Sequence, residues 1–175
     1  MNLHIIRWVL ALLLLSATQA YARGTFVVSG MAGGASPGTG SGFSNYNLVR
    51  LDGGYFLLPE FGFNLSVANY NSFTSLGSGT RIDIKITGGA LGVVGKWPVH
   101  PHVQPYVRLD YMRWNAKATG LNRTLGTDQG GSAGLAVGVQ VPIKKIFGAK
   151  AEVSGYNNVS GVNIRQIAIG WVLEF

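Results

Sequence analysis

The chain has 175 residues, including 26 glycines and no cysteine, and its formal net charge is +7. Without cysteine the protein has no disulfide framework and no thiol chemistry, and a chain of this length suits one domain. No apolar run after residue 22 is long enough for a membrane-spanning helix, which needs about 20 residues. A membrane protein without such helices has to be a closed barrel, because lipid cannot satisfy unpaired backbone groups.

The amino-terminal residues have the layout of a secretory signal peptide. Arg7 supplies a positive charge, residues 8–15 form an apolar run, and Ala20 and Ala22 mark a small-x-small cleavage site. The sequence therefore predicts a signal peptide over residues 1–22 and a mature domain over residues 23–175. An amino-terminal membrane anchor is the alternative, but the apolar run is too short to cross a bilayer.

The mature chain contains eight segments in which apolar residues alternate with polar or small ones. A period of two places successive side chains on opposite faces of a β-strand. We predict strands at residues 24–31, 48–58, 61–70, 82–97, 107–112, 133–141, 149–154 and 165–175. Strict alternation is lost over residues 88–95 of the fourth segment, which indicates a β-bulge there.

The predicted connections alternate between long and short. The long or polar ones are residues 32–47, 71–81, 116–131 and 156–163, and the short ones lie around Pro59 and at residues 98–102 and 142–147. An even number of strands, with short turns on one side and longer loops on the other, is typical of outer-membrane barrels. A soluble eight-stranded barrel of the lipocalin type is the structural alternative, and it would turn its apolar face inward around a ligand.

Three of the segments carry oppositely charged residues two positions apart on their less apolar face. In a membrane barrel these must point inward, because a charge at the lipid midplane costs about 2–4 kcal/mol. Eight strands enclose an interior that side chains can fill, and buried charges are tolerated when they are paired. We therefore predict an interior salt-bridge lattice that plugs the barrel, formed by Arg50, Asp52, Arg108, Asp110, Lys150 and Glu152.

The last segment has the clearest alternation and ends on an aromatic residue. Its apolar stripe consists of Ile167, Ile169, Trp171, Leu173 and Phe175. It resembles the closing strand of bacterial outer-membrane β-barrels, in which this strand and its terminal Phe serve as the assembly signal. Residues 53–63 resemble a β-hairpin of small OmpA/OmpX-type, opacity-like barrels, and residues 103–107 resemble the Pro-Tyr-Val strand opening common in that family. The resemblance covers the whole mature chain.

The resemblance implies an all-β, eight-stranded antiparallel up-and-down transmembrane β-barrel in the bacterial outer membrane. It also implies a non-enzymatic, structural or surface-interaction role through extracellular loops. A small porin-like pore or transport barrel is the alternative, and a lipid A-modifying enzyme is the least favoured. The expected partners are outer-membrane lipid and lipopolysaccharide, the barrel assembly machinery and a host or envelope surface partner. Export to the cell envelope argues against nucleic acid, despite the positive net charge.

The histidines do not fit the chemistry of the family's enzymes. Its lipid A deacylases use a His-x-Ser pair, and its palmitoyltransferases use a histidine near the outer surface. His100 and His102 fall in a predicted periplasmic turn, and neither precedes a serine by two positions. Two imidazoles in a proline-rich turn also make a weak metal site. We therefore predict no catalytic residue, no cofactor and no metal.

Basic residues gather near the predicted extracellular strand ends. Arg113 and Arg165 share the alternation class of the lipid-facing residues, and Lys117 lies close to Arg113 in the sequence. Arginine binds phosphate groups in a bidentate manner. We predict that Arg113, Lys117 and Arg165 contact lipopolysaccharide, and the alternative is that they are ordinary solvated charges.

Overall fold

A computed structural model of the chain contains eight β-strands. It describes residues 24–37, 46–75, 81–97, 99–100, 102–120 and 123–175, so the predicted signal peptide lies outside the described residues. The strands are β1 (Thr25–Pro37), β2 (Tyr46–Leu58), β3 (Phe61–Ser75), β4 (Arg81–Lys96), β5 (Gln104–Gly120), β6 (Arg123–Pro142), β7 (Phe147–Val159) and β8 (Val162–Glu174). Within these ranges, no helix is long and apolar enough to cross a membrane.

The strands form one closed antiparallel barrel. Each pairs with the next in the sequence, and β8 returns to pair with β1 from Glu174 opposite Val27 to Ile164 opposite Pro37. Beyond these strands, the amide of Phe175 donates to the carbonyl of Phe26 at 2.8 Å, and the amide of Phe26 donates to the carbonyl of Phe175 at 3.1 Å. The eight-stranded antiparallel barrel predicted from the sequence is confirmed. We call the end with Phe26 and Phe175 the terminal end and the opposite one the distal end.

The two faces of the barrel wall have opposite polarity around the middle of the barrel. Apolar side chains such as Leu65, Leu91 and Ile169 point outward and are more than 60% exposed. The guanidinium groups of Arg50 and Arg108 point inward and are buried. This is the reverse of the arrangement in a soluble barrel of the lipocalin type, so that alternative is wrong.

The interior contains two separate apolar clusters. The distal cluster includes Leu48, Tyr70, Met112 and Val159, and the terminal cluster consists of Val27, Phe56, Val94, Tyr106 and Val172. On β2 the inward side chains run in the order Leu48, Arg50, Asp52, Gly54, Phe56. The inward charges of β2 therefore lie between a distal and a terminal apolar layer.

Several predicted loops are continuations of strands. Residues 116–131 were expected to form a long loop, but β5 reaches Gly120 and β6 begins at Arg123. Likewise β3 continues to Ser75 and β7 to Val159. On β5 and β6 the exposed side chains of this region include Lys117, Thr127 and Gln129, so the apolar stripe by which strands are recognised in a sequence is interrupted there.

The bulge predicted at residues 88–95 is also wrong. In this stretch β4 keeps an unbroken register with both β3 and β5. Register shifts occur instead at Phe56/Leu58, Ala118/Thr119 and Tyr156/Val159. The loss of alternation has another cause: Lys85 faces outward and Ile86 inward in the distal part of β4, whereas Leu91 faces outward further along. The apolar face of β4 therefore changes sides near Gly88.

Candidate functional site

The six predicted interior charges meet in one cluster, although β2, β5 and β7 are not neighbours in the barrel wall. Arg50 Nη1 donates to Glu152 Oε1 at 2.7 Å, and Arg108 Nη2 donates to the same oxygen at 3.1 Å. The hydroxyl of Tyr106 donates to Glu152 Oε2 at 2.8 Å. One carboxylate therefore accepts hydrogen bonds from side chains of two other strands.

The charge pairs within one strand have poorer geometry than these contacts across the barrel. Arg50 Nε lies 2.9 Å from Asp52 Oδ1, and Arg108 Nε lies 2.8 Å from Asp110 Oδ2, but neither N–H forms a hydrogen bond. At such distances the angle is too bent for one. Arg50 Nη2 does donate to Asp52 Oδ2, at 3.2 Å. The three cations and three carboxylates of the cluster have no net formal charge.

Neutral side chains donate further hydrogen bonds to one oxygen of each aspartate. Ser29 Oγ donates to Asp52 Oδ2 at 3.0 Å, and the hydroxyl of Tyr156 donates to Asp110 Oδ2 at 3.0 Å. The sequence interpretation missed Ser29, Tyr106 and Tyr156. Alternation along the strands would have indicated that both tyrosines point inward. Tyr106 lies two residues before Arg108 on β5, and Tyr156 lies four residues after Glu152 on β7.

Glycines opposite these tyrosines provide the space that their rings need. Tyr106 is the Cα partner of Gly138, and Tyr156 is the Cα partner of Gly134. A Cβ atom on either glycine would overlap the facing ring. The glycines of β6 therefore allow the tyrosines to lie flat across the strand and reach the carboxylates.

A cavity opens from the terminal end toward the charge cluster. Its empty volume is about 370 Å³, which includes space open to solvent, and its lining includes Asn64, Lys96 and Lys150. Lys150 Nζ lies 3.6 Å from Asp52 Oδ2 and 4.8 Å from the centre of the Tyr106 ring. At the mouth, Lys96 Nζ donates to Glu174 Oε1 at 2.8 Å. Lys150 is thus the predicted interior charge that lies nearest to solvent.

The three basic residues predicted to contact lipopolysaccharide do not come together. Arg113 and Lys117 lie on β5 with their side chains exposed on the outer face. Arg165 is also exposed, but it lies on β8, with Gly155 of β7 and Ser36 of β1 as its Cα partners. Two strands separate β8 from β5, so Arg165 is on another part of the barrel wall.

The predicted closing stripe faces outward along β8. Ile167 and Ile169 are 67% and 68% exposed. Trp171 and Phe175 are also exposed and Leu173 is half-buried. The ring of Trp171 covers Gly30 on β1, where a Cβ atom would lie 2.7 Å from the indole. The stripe therefore belongs to the outer surface at the seam where the barrel closes.

The two histidines lie in the turn between β4 and β5, at the terminal end. Both are exposed, their ring centres are 5.5 Å apart, and the amide of His102 donates to His100 Nδ1 at 3.2 Å. Among the described residues, no group of three or more His, Asp or Glu side chains is placed to hold a metal ion.

Comparison with known proteins places this barrel among outer-membrane barrels. Residues 8–175 match the family model described as outer membrane protein beta-barrel domain. Neisserial surface protein A is 15% identical with a TM-score of 0.68, over 88% of this chain and 98% of that one. No curated protein matches the chain significantly.

Two further solved structures have the same fold. Ail of Yersinia pestis is 16% identical with a TM-score of 0.62, over 87% of this chain and 98% of that one. The N-terminal β-barrel domain of Pseudomonas aeruginosa OprF is 17% identical with a TM-score of 0.64, over 86% of this chain and 97% of that one. At such low identity the likeness concerns the fold alone.

Proposed function

Because the chain belongs to the outer-membrane β-barrel domain family and resides in the bacterial outer membrane, we propose that it is a non-enzymatic barrel with a closed interior. Its role is structural, or it is exerted by strand ends that contact partners at the cell surface. The terminal end faces the periplasm and the distal end faces the exterior, since outer-membrane barrels have their shorter turns in the periplasm.

The filled interior is the observation that carries this proposal. Arg50 and Arg108 are 2% and 0% exposed, and the adjacent distal layer contains Leu48, Tyr70 and Val159, which are 1%, 0% and 0% exposed. An ion that entered through the terminal cavity would meet first the paired charges and then this apolar layer. Moving an ion into apolar surroundings is costly, so the distal layer closes the barrel.

The distal ends of β5 and β6 form the surface that we propose for contacts with host or envelope partners. β6 pairs with β5 as far as Arg123, but among the described residues it pairs with β7 only from Gly134 to Pro142. Ser160 of the β7–β8 turn donates to Asp128 Oδ2 at 2.7 Å and links this hairpin to the rest of the barrel. A sheet segment paired on one side offers backbone groups and polar side chains to a partner.

The other proposed partners follow from the location. The outward apolar side chains contact outer-membrane lipid, and the closing stripe of β8 is recognised by the barrel assembly machinery. Lipopolysaccharide is the partner for basic side chains at the distal end. Nucleic acid is not expected at a surface outside the cell.

A small pore is the second candidate, because the terminal cavity extends to Asp52 and Lys150. Conduction would then require the distal apolar layer to open. Planar-bilayer recording of the purified barrel distinguishes the two, once heat-modifiable gel migration has shown that the sample is folded. We expect no stable openings. Reproducible conductance steps would overturn the closed-interior proposal and favour the pore.

A further inference from the structure

Two lysines face each other on the outer surface of the barrel. Lys85 of β4 is the Cα partner of Lys117 of β5, and both side chains are exposed. Like charges directly opposite one another destabilise an antiparallel pair. In the part of the chain that the structure describes, neither lysine has an ion-pair or hydrogen-bond partner. The pair therefore concentrates two positive charges at one position of the outer face.

Arg113 lies below this pair, where the apolar band of β5 ends. The outward side chains of β5 include Leu109 and Tyr111, each 56% exposed, and then Arg113. The Cα partners of Arg113 are Gly89 of β4 and Gly131 of β6, so no side chain flanks it directly across either strand. The Tyr111 hydroxyl occupies the space over Gly131, whereas a Cβ atom added at Gly89 would have only the Ser66 carbonyl oxygen nearby, at 3.8 Å. The guanidinium is therefore accessible from the β4 side.

The surface between Arg113 and the lysine pair is polar and uncharged. It consists of Thr87 and Asn115, which are Cα partners with exposed side chains. Residues four apart on a strand are separated by about 13 Å, so Arg113 and Lys117 define two basic points on one wall. Asp83, the acid nearest along this face of β4, lies beyond Lys85 opposite Thr119.

We propose that Lys85, Arg113 and Lys117 form one binding site for the phosphorylated head group of a lipopolysaccharide molecule. Arg113 takes one phosphate and the lysine pair takes a second one further from the membrane. The site rests on the proposed outward orientation of the distal end. The proposed site contains Lys85, which the sequence analysis did not predict as a lipopolysaccharide contact. It does not contain Arg165, which the sequence analysis did predict.

The position of the site favours a lipid over a soluble anion. The basic residues begin where the apolar outward residues of β5 end, and the head groups of the outer leaflet lie at this level. Arginine is suited to bidentate contact with a phosphate, and a lysine ammonium acts as a compact point charge. A phosphate between Lys85 and Lys117 would also relieve their mutual repulsion. Arg165 is too far around the barrel for the same head group to reach it.

Arg165 provides a matched control for the test. The wild type, the triple variant Lys85→Gln/Arg113→Gln/Lys117→Gln and the single variant Arg165→Gln are reconstituted in phosphatidylcholine nanodiscs with limiting lipopolysaccharide. Native mass spectrometry counts the lipopolysaccharide molecules that each barrel retains. We expect one molecule on the wild type and on Arg165→Gln, and at least tenfold lower retention by the triple variant. Heat-modifiable migration shows that each variant is folded.

A second arm identifies the group that is recognised. Enzymatically dephosphorylated lipopolysaccharide should be retained by the wild type no better than by the triple variant. If the triple variant retained as much lipopolysaccharide as the wild type, the proposed site would be wrong. It would also be wrong if Arg165→Gln lost as much lipopolysaccharide as the triple variant. Retention that does not depend on the phosphates would overturn it as well. Conductance tests the closed interior independently, so the two proposals can fail separately.

Discussion

Arg50 Nη1 lies 2.7 Å from Glu152 Oε1 across the inside of the barrel, although the two residues are 102 positions apart in the sequence. Arg108 reaches the same oxygen from β5, and Tyr106 reaches the other oxygen of the carboxylate. Glu152 therefore connects β2, β5 and β7 through the interior, in addition to the hydrogen bonds within the wall. A change at this residue affects three strands at once.

Replacing Glu152 by Gln should destabilise the barrel strongly. The variant keeps the size of the side chain but leaves two buried guanidinium groups with one carboxylate fewer. Removing one partner of a buried ion pair costs about 3–5 kcal/mol. The measurement is the free energy of unfolding in urea, followed by tryptophan fluorescence of the barrel in detergent or vesicles.

Glu174→Gln is the matched control for this prediction. Glu174 pairs with Lys96 at the mouth of the terminal cavity, where the two side chains are 24% and 11% exposed. Water can replace part of this interaction, and solvent-accessible pairs contribute at most about 1 kcal/mol. Equal losses in the two variants would show that Glu152 has no special role in holding the strands together.

Adding a methyl group at Gly138 should displace the Tyr106 ring. A Cβ atom there overlaps the ring, and the hydrogen bond from Tyr106 to Glu152 would be strained or lost. Overpacking of this kind costs about 1–3 kcal/mol. We expect Gly138→Ala to lower the free energy of unfolding by that amount. Gly126→Ala, on the same strand, should change it by less than about 0.5 kcal/mol, because nothing lies within 4 Å of the added atom.

The barrel could be predicted from the sequence because lipid imposes a regular pattern on its outward residues. Phe61, Phe63, Leu65 and Val67 follow a strict period of two, and all four face outward and are exposed. The pattern fails where the outward face meets water. Thr127 and Gln129 face outward on distal β6, and without an apolar stripe this part of the strand was read as a loop.

The interior charges could be predicted, but the contacts between them could not. Arg50 and Asp52 were assigned to the interior by their parity on one strand, and the same reasoning identified Glu152. The hydrogen bond from Arg50 to Glu152 depends on how β2 and β7 face each other after closure, which alternation within one strand does not encode. The pattern of β4 also did not identify Lys85 as an outward residue. In this part of the strand the apolar residues Ile84 and Ile86 point inward, so the outward face is not the apolar one.

Lipid A should remain chemically unchanged when the protein is produced or deleted. His100 and His102 are exposed in a turn at the terminal end, which we place in the periplasm, away from outer-leaflet lipid A. Mass spectra of lipid A from producing and deleted strains should therefore be identical. Acyl addition or removal that depends on the protein would contradict the non-enzymatic proposal. A strain producing His100→Ala/His102→Ala would then show whether these histidines take part.

Replacing Phe175 by Ala should impair assembly in the cell more than stability of the folded barrel. The side chain is 56% exposed on the outer surface, and its contacts with Phe26 use the backbone, which alanine retains. Phe61→Ala, at the same end and 40% exposed, is the matched control. We expect both variants to refold in detergent with heat-modifiable migration like that of the wild type, while only Phe175→Ala accumulates less folded barrel in the outer membrane. Similar losses for both variants in cells would mean that the terminal residue is not a specific assembly signal and that any apolar residue at this end serves equally.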